Sequence, residues 1–390
     1  MKILYLSKYY HSFIHNPILR LEEDFQIDYR VYFFQRIMGM IRSKQYKNTW
    51  NNDNLARIIP ENKSKIVKYL NVPRNYFIHI DGYYLYYKIK KLFKKGDFDI
   101  IHSQSLTTTG ILAYLLSKRL DIPYVITSHG TGDIDDAVPN AEGKTVLNRF
   151  AVNQIKKVLK NAKVNFALSE KMYHQMKSLA PEANVIINQN TYDTEIFKPA
   201  VEDKLSCSDD KINLLAVGGF VDRKNHLLLL QAMSTVVKDN KNISLTLIGG
   251  GDLKDEYISF ISENSLDGHV RILPFLPHSE LVKEYHKADF FVLPSKAEGF
   301  SVSLLEAMAC GLPVVVSHDQ GTQILVDHEV DGLIFTNYNV NDLKDKLLFL
   351  INNPEKRVAM GKNALKKVEK YQNKHHEIYD VYKQIISEKS

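Results

Sequence analysis

Two doubly wound α/β domains, each built on a parallel sheet, are what this sequence predicts, and three observations carry the expectation. Short apolar, β-branched runs alternate with longer segments of helical periodicity along nearly all of the 390 residues, and strands that alternate with helices pair in parallel, buried on both faces. These runs form two series separated by a polar stretch, Lys198–Lys211, which contains Pro199 and the Ser/Asp-rich Ser206–Asp210 and reads as a linker. The length suffices for two ordinary cores, and 44% hydrophobic with 25% charged residues is the composition of a soluble globular protein.

In chain order, the first series of strands is expected at Ile3–Leu6, Tyr29–Phe34, Ile100–His102, Tyr124–Thr127, Phe166–Leu168 and Val185–Ile187. The second is expected at Leu214–Val217, Ser244–Ile248, Val270–Leu273, Phe290–Leu293, Val314–Ser317 and Gly332–Phe335. Helical spacing of apolar residues marks Thr109–Arg119, Lys224–Asp239 and Val340–Asn352 among the intervening segments. This places an N-terminal domain at 1–195, a linker at 196–211 and a C-terminal domain at 212–370. A last helix at 371–390 is expected to pack back on the N-terminal domain.

Several function classes are disfavoured at once. No stretch approaches ~20 uninterrupted apolar residues, and the N-terminus is too polar after Leu6 for a secretory leader, reading instead as a first strand. The two cysteines, Cys207 and Cys310, supply neither a disulfide framework nor a cysteine-rich metal site, so a reduced, cytoplasmic protein is expected. No G-x-G-x-x-G follows Ile3–Leu6, and Gly249-Gly250-Gly251 lacks the later glycine, which argues against a nicotinamide enzyme. Charge is uneven: residues 1–200 carry 29 Lys+Arg against 18 Asp+Glu, a net +11, while the rest carry 22 against 27, a net −5. A basic half points to an anionic partner, and no recognition motif accompanies it to favour nucleic acid.

The densest chemistry lies in Ala288–Ser317, ADFFVLPSKAEGFSVSLLEAMACGLPVVVS. A strand ends at Pro294-Ser295, a loop carries Glu298-Gly299, and a helix opens near Ser301–Ser303 and stops at Gly311. A loop running into a helix N-terminus presents unpaired N–H groups and partial positive charge, a natural seat for the β-phosphate of a nucleoside diphosphate. Glu298 before the helix and Glu306 two turns into it bracket that seat, suited to sugar hydroxyls on one side and ribose hydroxyls on the other.

This segment resembles the E-x7-E motif of retaining glycosyltransferase family 4, in the form EGF-x5-EAMACG-x-PVV. Asp99–Ser105 (DIIHSQS) is similar to that family's D-x-x-H-x-H strand end, and Ile122–Asp133 (IPYVITSHGTGD) to its IP-x-v-x-T-x-HG-x-D segment. Asn190–Pro199, Leu214–Asn225 (LLAVGGFVDRKN) and Leu247–Asp252 (LIGGGD) continue the likeness in the same order. The resemblance implies a GT-B fold, with two Rossmann-like domains facing each other across a cleft. It further implies a nucleoside-diphosphate-sugar donor, UDP- or GDP-linked, retention of anomeric configuration, and no cofactor or metal. By position it assigns the donor ribose to Glu306, the transferred sugar to Glu298, and sugar and phosphate to the N–H groups of Phe300, Ser301, Val302, Ser303 and Leu304. Lys224 with Arg223 would neutralise the departing diphosphate, since without a metal its charge needs fixed cations. Gly218, Gly219, Pro274 and Phe275 complete the expected donor site, with base contacts made by backbone near Leu273–Pro277.

Four departures qualify the likeness. Gly219 stands where the family usually carries an arginine, and Arg223 is the expected substitute because it adds a bidentate phosphate donor. Asn225 and Gln323 replace a common Gly and Glu. The first strand is followed by Ser7-Lys8-Tyr9-Tyr10-His11-Ser12 in place of a Gly-Gly loop.

In the N-terminal half, His129 follows a strand and is flanked by Gly130 and Asp133, placing it at the donor sugar and attacking hydroxyl. His102 and Ser103–Ser105 end the neighbouring strand, where a supporting role and plain loop packing weigh equally. Tyr83–Phe98 (YYLYYKIKKLFKKGDF) reads as a basic amphipathic helix, with Tyr84, Tyr87, Lys91 and Lys94 on one side and Leu85, Ile89, Leu92 and Phe93 on the other. Such a helix suits an anionic membrane surface, or else packs its apolar stripe on its own domain. The expected activity is sugar transfer to a glycan or lipid-linked acceptor in envelope polysaccharide assembly, at the inner face of the membrane. A sugar-nucleotide epimerase of the same fold and a catalytically degenerate binding module are the alternatives, the second motivated by Gly219.

Overall fold

The computed structural model describes residues 1–7, 12–36, 61–69, 80–129, 146–200 and 211–388. The expected linker residues 201–210, the loop residues 8–11 and the segment containing Gly130 and Asp133 lie outside the described residues. Two compact units divide the chain: Met1–Asn190 with Asn373–Ser390, and Thr191–Gln372.

The first unit carries a seven-stranded sheet: β1 (Lys2–Ser7), β2 (Asp28–Arg36), β3 (Ser64–Tyr69), β4 (Ile100–Ser103), β5 (Tyr124–Ser128), β6 (Val164–Ala167) and β7 (Val185–Ile187). Its order is β3-β2-β1-β4-β5-β6-β7, with every pair parallel. Two corrections concern these strands. β6 begins two residues before the expected Phe166, because Val164 already pairs with Val125, and Leu168 falls beyond it. β3 was not expected; its sequence, SKIVKY, buries Val67 but leaves Lys65 and Lys68 exposed on opposite faces, the charged pattern of a sheet-edge strand.

Helices α1 (Ser12–Phe25), α2 (Ile80–Ile89), α3 (Thr108–Leu120), α4 (Val146–Asn161) and α5 (Glu170–Leu179) cover the sheet. The expected helix over 83–98 is shorter: α2 stops at Ile89 and tightens into a single 3-10 turn, Lys90–Leu92. Leu92 consequently turns outward, 47% exposed, whereas Leu85, Ile89 and Phe93 are buried in their own unit. The last helix, α13 (Lys374–Ser387), belongs to this unit and inserts Ile378, Tyr382 and Ile385 among Ile3, Tyr5, Tyr29 and Phe166.

The second unit holds β8 (Ile212–Val217), β9 (Ile243–Ile248), β10 (Val270–Leu273), β11 (Phe290–Leu293), β12 (Val314–Ser317) and β13 (Gly332–Phe335), in the order β10-β9-β8-β11-β12-β13. All neighbours are parallel. Helices α6 (His226–Asp239), α7 (Lys254–Glu263), α8 (His278–Lys287), α9 (Val302–Ala309), α10 (Gln320–Gln323), α11 (Val340–Asn352) and α12 (Pro354–Val368) accompany them. The expected helix from Lys224 starts later, at His226, because Asp222–Lys224 form a 3-10 turn closed by left-handed Asn225 at φ 52°. Asparagine tolerates that conformation better than most residues. Strand order reverses between β8 and β11, and ligands of open parallel sheets settle beyond the carboxyl ends of strands at such a point. Among the described residues no helix is long and apolar enough to cross a membrane.

Candidate functional site

Beyond the carboxyl ends of β8 and β11 the second unit gathers most of the expected donor residues. β8 runs into Gly218-Gly219, and β9 into Gly249–Gly251. A Cβ at Gly249 would fall 2.0 Å from the Gly218 carbonyl oxygen, so only glycine lets these two turns interlock. Gly219 differs: a Cβ there would meet only the Gly250 oxygen, at 3.8 Å, and no local packing demands glycine. Pro274 and Phe275 follow β10, with Phe275 half exposed and its ring against Gly250.

The 3-10 turn after β8 brings Arg223 and Lys224 to the loop after β11, 74 residues away. Lys224 Nζ donates to Glu298 Oε1 at 2.7 Å, and Arg223 Nη1 donates to Glu298 Oε2 at 3.1 Å and to the Ala297 carbonyl at 2.8 Å. Glu298's side chain is only 6% exposed and Lys224's 14%, whereas Arg223's is 53% exposed. Burial alone would raise the Glu298 carboxyl, but the Lys224 ammonium and then the Arg223 guanidinium outweigh it and hold the group below the usual carboxylate range. Both cations expected to meet a diphosphate therefore grip the first glutamate, whose charge fixes their position.

Two features seat Glu298 itself. Its backbone N–H donates to Asp319 Oδ2 at 2.8 Å, and the same carboxylate oxygen caps α10 through Gly321 N–H at 3.1 Å. Gly321 comes so close that a Cβ would lie 2.0 Å from the Glu298 carbonyl oxygen. Asp319 had drawn no attention in the sequence: it lies 21 residues on, and no local pattern announces its reach.

Helix α9 follows at once. Ser301 occupies the N-cap position but makes no side-chain cap, its hydroxyl pairing instead with Ser303 Oγ at 3.2 Å. The N–H groups of the first turn, Val302, Ser303 and Leu304, thus have no capping side chain, which suits an incoming anion. Phe300 and Leu304 are buried and anchor the turn. Glu306, two turns in, is 5% exposed and accepts from the Tyr285 hydroxyl at 3.0 Å. Burial pushes its pKa up to about 8, only partly offset by the Tyr285 hydrogen bond, so the free protein holds it as a neutral acid at pH 7. Tyr285 lies on α8 and was not predicted, since only the fold brings it to Glu306.

The first unit contains the remaining candidate. His129 follows β5 and donates from Nε2 to Gln104 Oε1 at 2.6 Å, Gln104 lying just past β4. Below them, His102 is fully enclosed: Nδ1 meets the Tyr382 hydroxyl, and Nε2 meets Thr127 Oγ1 at 2.8 Å. Burial, then the neighbouring His129, lowers the His102 pKa to about 3, so it is a neutral connector. Tyr382 also meets the Tyr5 hydroxyl at 2.9 Å, tying β1, β4, β5 and α13 together. Ser103 bonds Thr109 Oγ1 and the Ser105 carbonyl, both at 2.9 Å, and serves the loop.

Known proteins agree with this architecture. The family model for glycosyl transferases group 1 matches residues 197–367, and that for glycosyltransferase family 4 matches residues 20–196. An uncharacterised glycosyltransferase of Methanocaldococcus jannaschii is 28% identical over 318 residues, covering 78% of this chain and 80% of its own. The UDP-Gal:α-D-GlcNAc-diphosphoundecaprenol α-1,3-galactosyltransferase of Escherichia coli is 27% identical over 306 residues, covering 72% and 76%. Among solved structures, sucrose-phosphate synthase from Thermosynechococcus elongatus shares the fold across 99% of both chains, at a TM-score of 0.76 and 18% identity. With its two halves matched in turn by these two models, the chain belongs to the GT-B glycosyltransferases of the family 4 type.

Proposed function

We propose that this glycosyltransferase is a metal-independent, retaining enzyme that moves a sugar from a UDP-linked donor to a hydroxyl of a lipid-linked, diphosphate-bearing acceptor. The observation that carries the reading is the pair Arg223 and Lys224, fixed against buried Glu298 beside the uncapped N-terminus of α9. Two cations and a helix end, at the switch point of a parallel sheet, form a seat for a diphosphate whose charge grows as it leaves. The Escherichia coli relative, by its name, uses UDP-galactose and a diphosphoundecaprenol acceptor, which supports the choice of base and acceptor class.

In the proposed reaction the bond from the sugar's anomeric carbon to the diphosphate oxygen breaks, and a bond to the acceptor oxygen forms on the same face. The acceptor's proton passes to the departing phosphate. Arg223 and Lys224 stabilise the leaving charge, Glu298 sets their geometry and borders the sugar, and Glu306 takes the ribose hydroxyls. His129 bonds the sugar or orients the acceptor. The exposed face of α2 and of the 3-10 turn that follows it, with Tyr84, Tyr87, Lys88 and Lys91 outward and Lys90 over the Tyr87 ring at 4.5 Å, suits an anionic membrane surface at the cytoplasmic side.

A thermal-shift series with UDP-, GDP-, ADP- and CMP-linked sugars, with and without EDTA, tests the donor assignment. A rise in Tm for the UDP series alone, unchanged by EDTA, is expected. A rise for another base, or one abolished by EDTA, would overturn it.

A further inference from the structure

At the junction of α1 and α13, three side chains outside the candidate site converge. His375 Nε2 lies 2.7 Å and His376 Nε2 2.9 Å from the same atom, Asp24 Oδ2. These ligand atoms all lie within 4.8 Å of one another. We propose that Asp24, His375 and His376 form a binding site for a borderline-soft divalent cation of the zinc class, stapling the C-terminal helix to α1.

The donor set is that chemistry. Two imidazoles and one carboxylate, with a remaining position open to water, are a common three-ligand set for Zn2+ and its neighbours, whereas calcium and magnesium prefer all-oxygen sites. A tetrahedral ion with bonds of about 2.0–2.1 Å needs ligands about 3.3 Å apart. The two nitrogen–oxygen separations must therefore open by a few tenths of an ångström through a turn of the Asp24 side chain, 37% exposed, and the two imidazole nitrogens, within 4.8 Å of each other, must settle at the same spacing.

The rings are also held ready. His375 is buried at 4% exposure, and His376 is fixed edge-on against Phe25, whose ring stacks on Tyr379 at 3.7 Å. The two imidazoles lie 4.5 Å apart between centroids and nearly perpendicular. Both residues sit in the first turn of α13. Burial lowers the His375 pKa against the pull of Asp24, and the hydrogen bonds from His375 and then His376 keep Asp24 below its usual range. Neutral imidazole and ionised carboxylate are the forms a metal requires. Arg20, one turn back on α1, is engaged by Glu23 at 3.0 Å, and Lys374 and Asn188 are engaged by Glu377.

One feature sets the strength. Among the described residues His375 Nδ1 is buried without a hydrogen-bond partner, yet a metal on Nε2 would place the proton there. Lacking that supporting acceptor, commonly worth 10–100-fold in affinity, the site should bind in the micromolar range.

Titration of the full chain with ZnCl2 alone, followed by calorimetry and by Tm, tests the site independently of activity. His376→Ala and Asp24→Asn remove ligands whose side chains are 44% and 37% exposed, so both variants should fold. Wild type should bind one equivalent saturably and gain Tm, and each variant should bind at least 10-fold more weakly without the gain. Absence of a saturable equivalent, or variants that bind as wild type does, would overturn the proposal.

Discussion

At the carboxyl ends of their strands, the two units collect opposite kinds of chemistry. The unit on β8–β13 gathers ions, with Glu298 enclosed by Lys224 and Arg223 and an uncapped helix beside them. The unit on β1–β7 gathers hydroxyls around the neutral His102, a relay from Tyr5 through Tyr382 and His102 to Thr127, beside which Gln104 holds His129. Fixed charge suits a ligand that arrives and leaves as an anion, while neutral hydrogen bonds orient a group without committing its proton.

Removing one member of the ionic cluster should have the largest effect. Lys224→Ala leaves Glu298 enclosed with Arg223 alone, a partly broken buried pair, and should cost up to about 3–5 kcal/mol. Urea unfolding measures that cost, and the double variant Lys224→Met with Glu298→Leu should recover much of it while turnover stays low. Recovery of turnover as well would show that the cluster serves only folding.

Glu306 differs within the same unit, because it is buried without a cation beside it among the described residues. Its folded pKa of about 8 lies above the ordinary 4.5, so its neutral form favours folding fully below pH 4.5. That contribution declines as pH rises and is gone above about 8. Glu306→Gln should flatten the fall in stability over this window, read from Tm against pH, and should weaken donor binding. A wild-type slope unchanged in the variant would place the pH dependence elsewhere.

A smaller effect is expected in the neutral relay. Tyr382→Phe removes one hydroxyl shared by Tyr5 and His102 and should cost about 1–3 kcal/mol by leaving buried partners unpaired, with no change in salt dependence. The smallest stability effect belongs to Gly219→Arg. Space is open there, so unfolding should move by no more than about 0.5 kcal/mol, while an added cation tightens UDP-sugar binding. Weaker binding would mean that Arg223 and Lys224 already complete the seat.

Most of the fold was legible in the sequence because parallel strands announce themselves as apolar runs, and β8–β13 all lie where such runs occur. β3 was missed because exposed Lys65 and Lys68 interrupt its apolar residues on both faces, leaving neither a continuous apolar run nor a clean alternation. α2 was read too long because its apolar spacing persists through Phe93 while the backbone tightens at Lys90. Glu298, Glu306, Lys224, Arg223 and His129 stood out in the sequence because each lies on a recognisable segment. Their partners Asp319, Tyr285 and Gln104 did not, since each reaches its target from a different element and carries no local pattern. The grip of Lys224 and Arg223 on Glu298 was likewise invisible, being a contact across 74 residues.

The most direct test of the central claim is an NMR-monitored incubation of the purified protein with a UDP-sugar, an undecaprenyl-diphosphate-linked saccharide and EDTA. Acceptor-dependent consumption of donor is expected, with a product whose new linkage keeps the donor's anomeric configuration. An inverted linkage, or donor consumed to an epimer without acceptor, would contradict the claim.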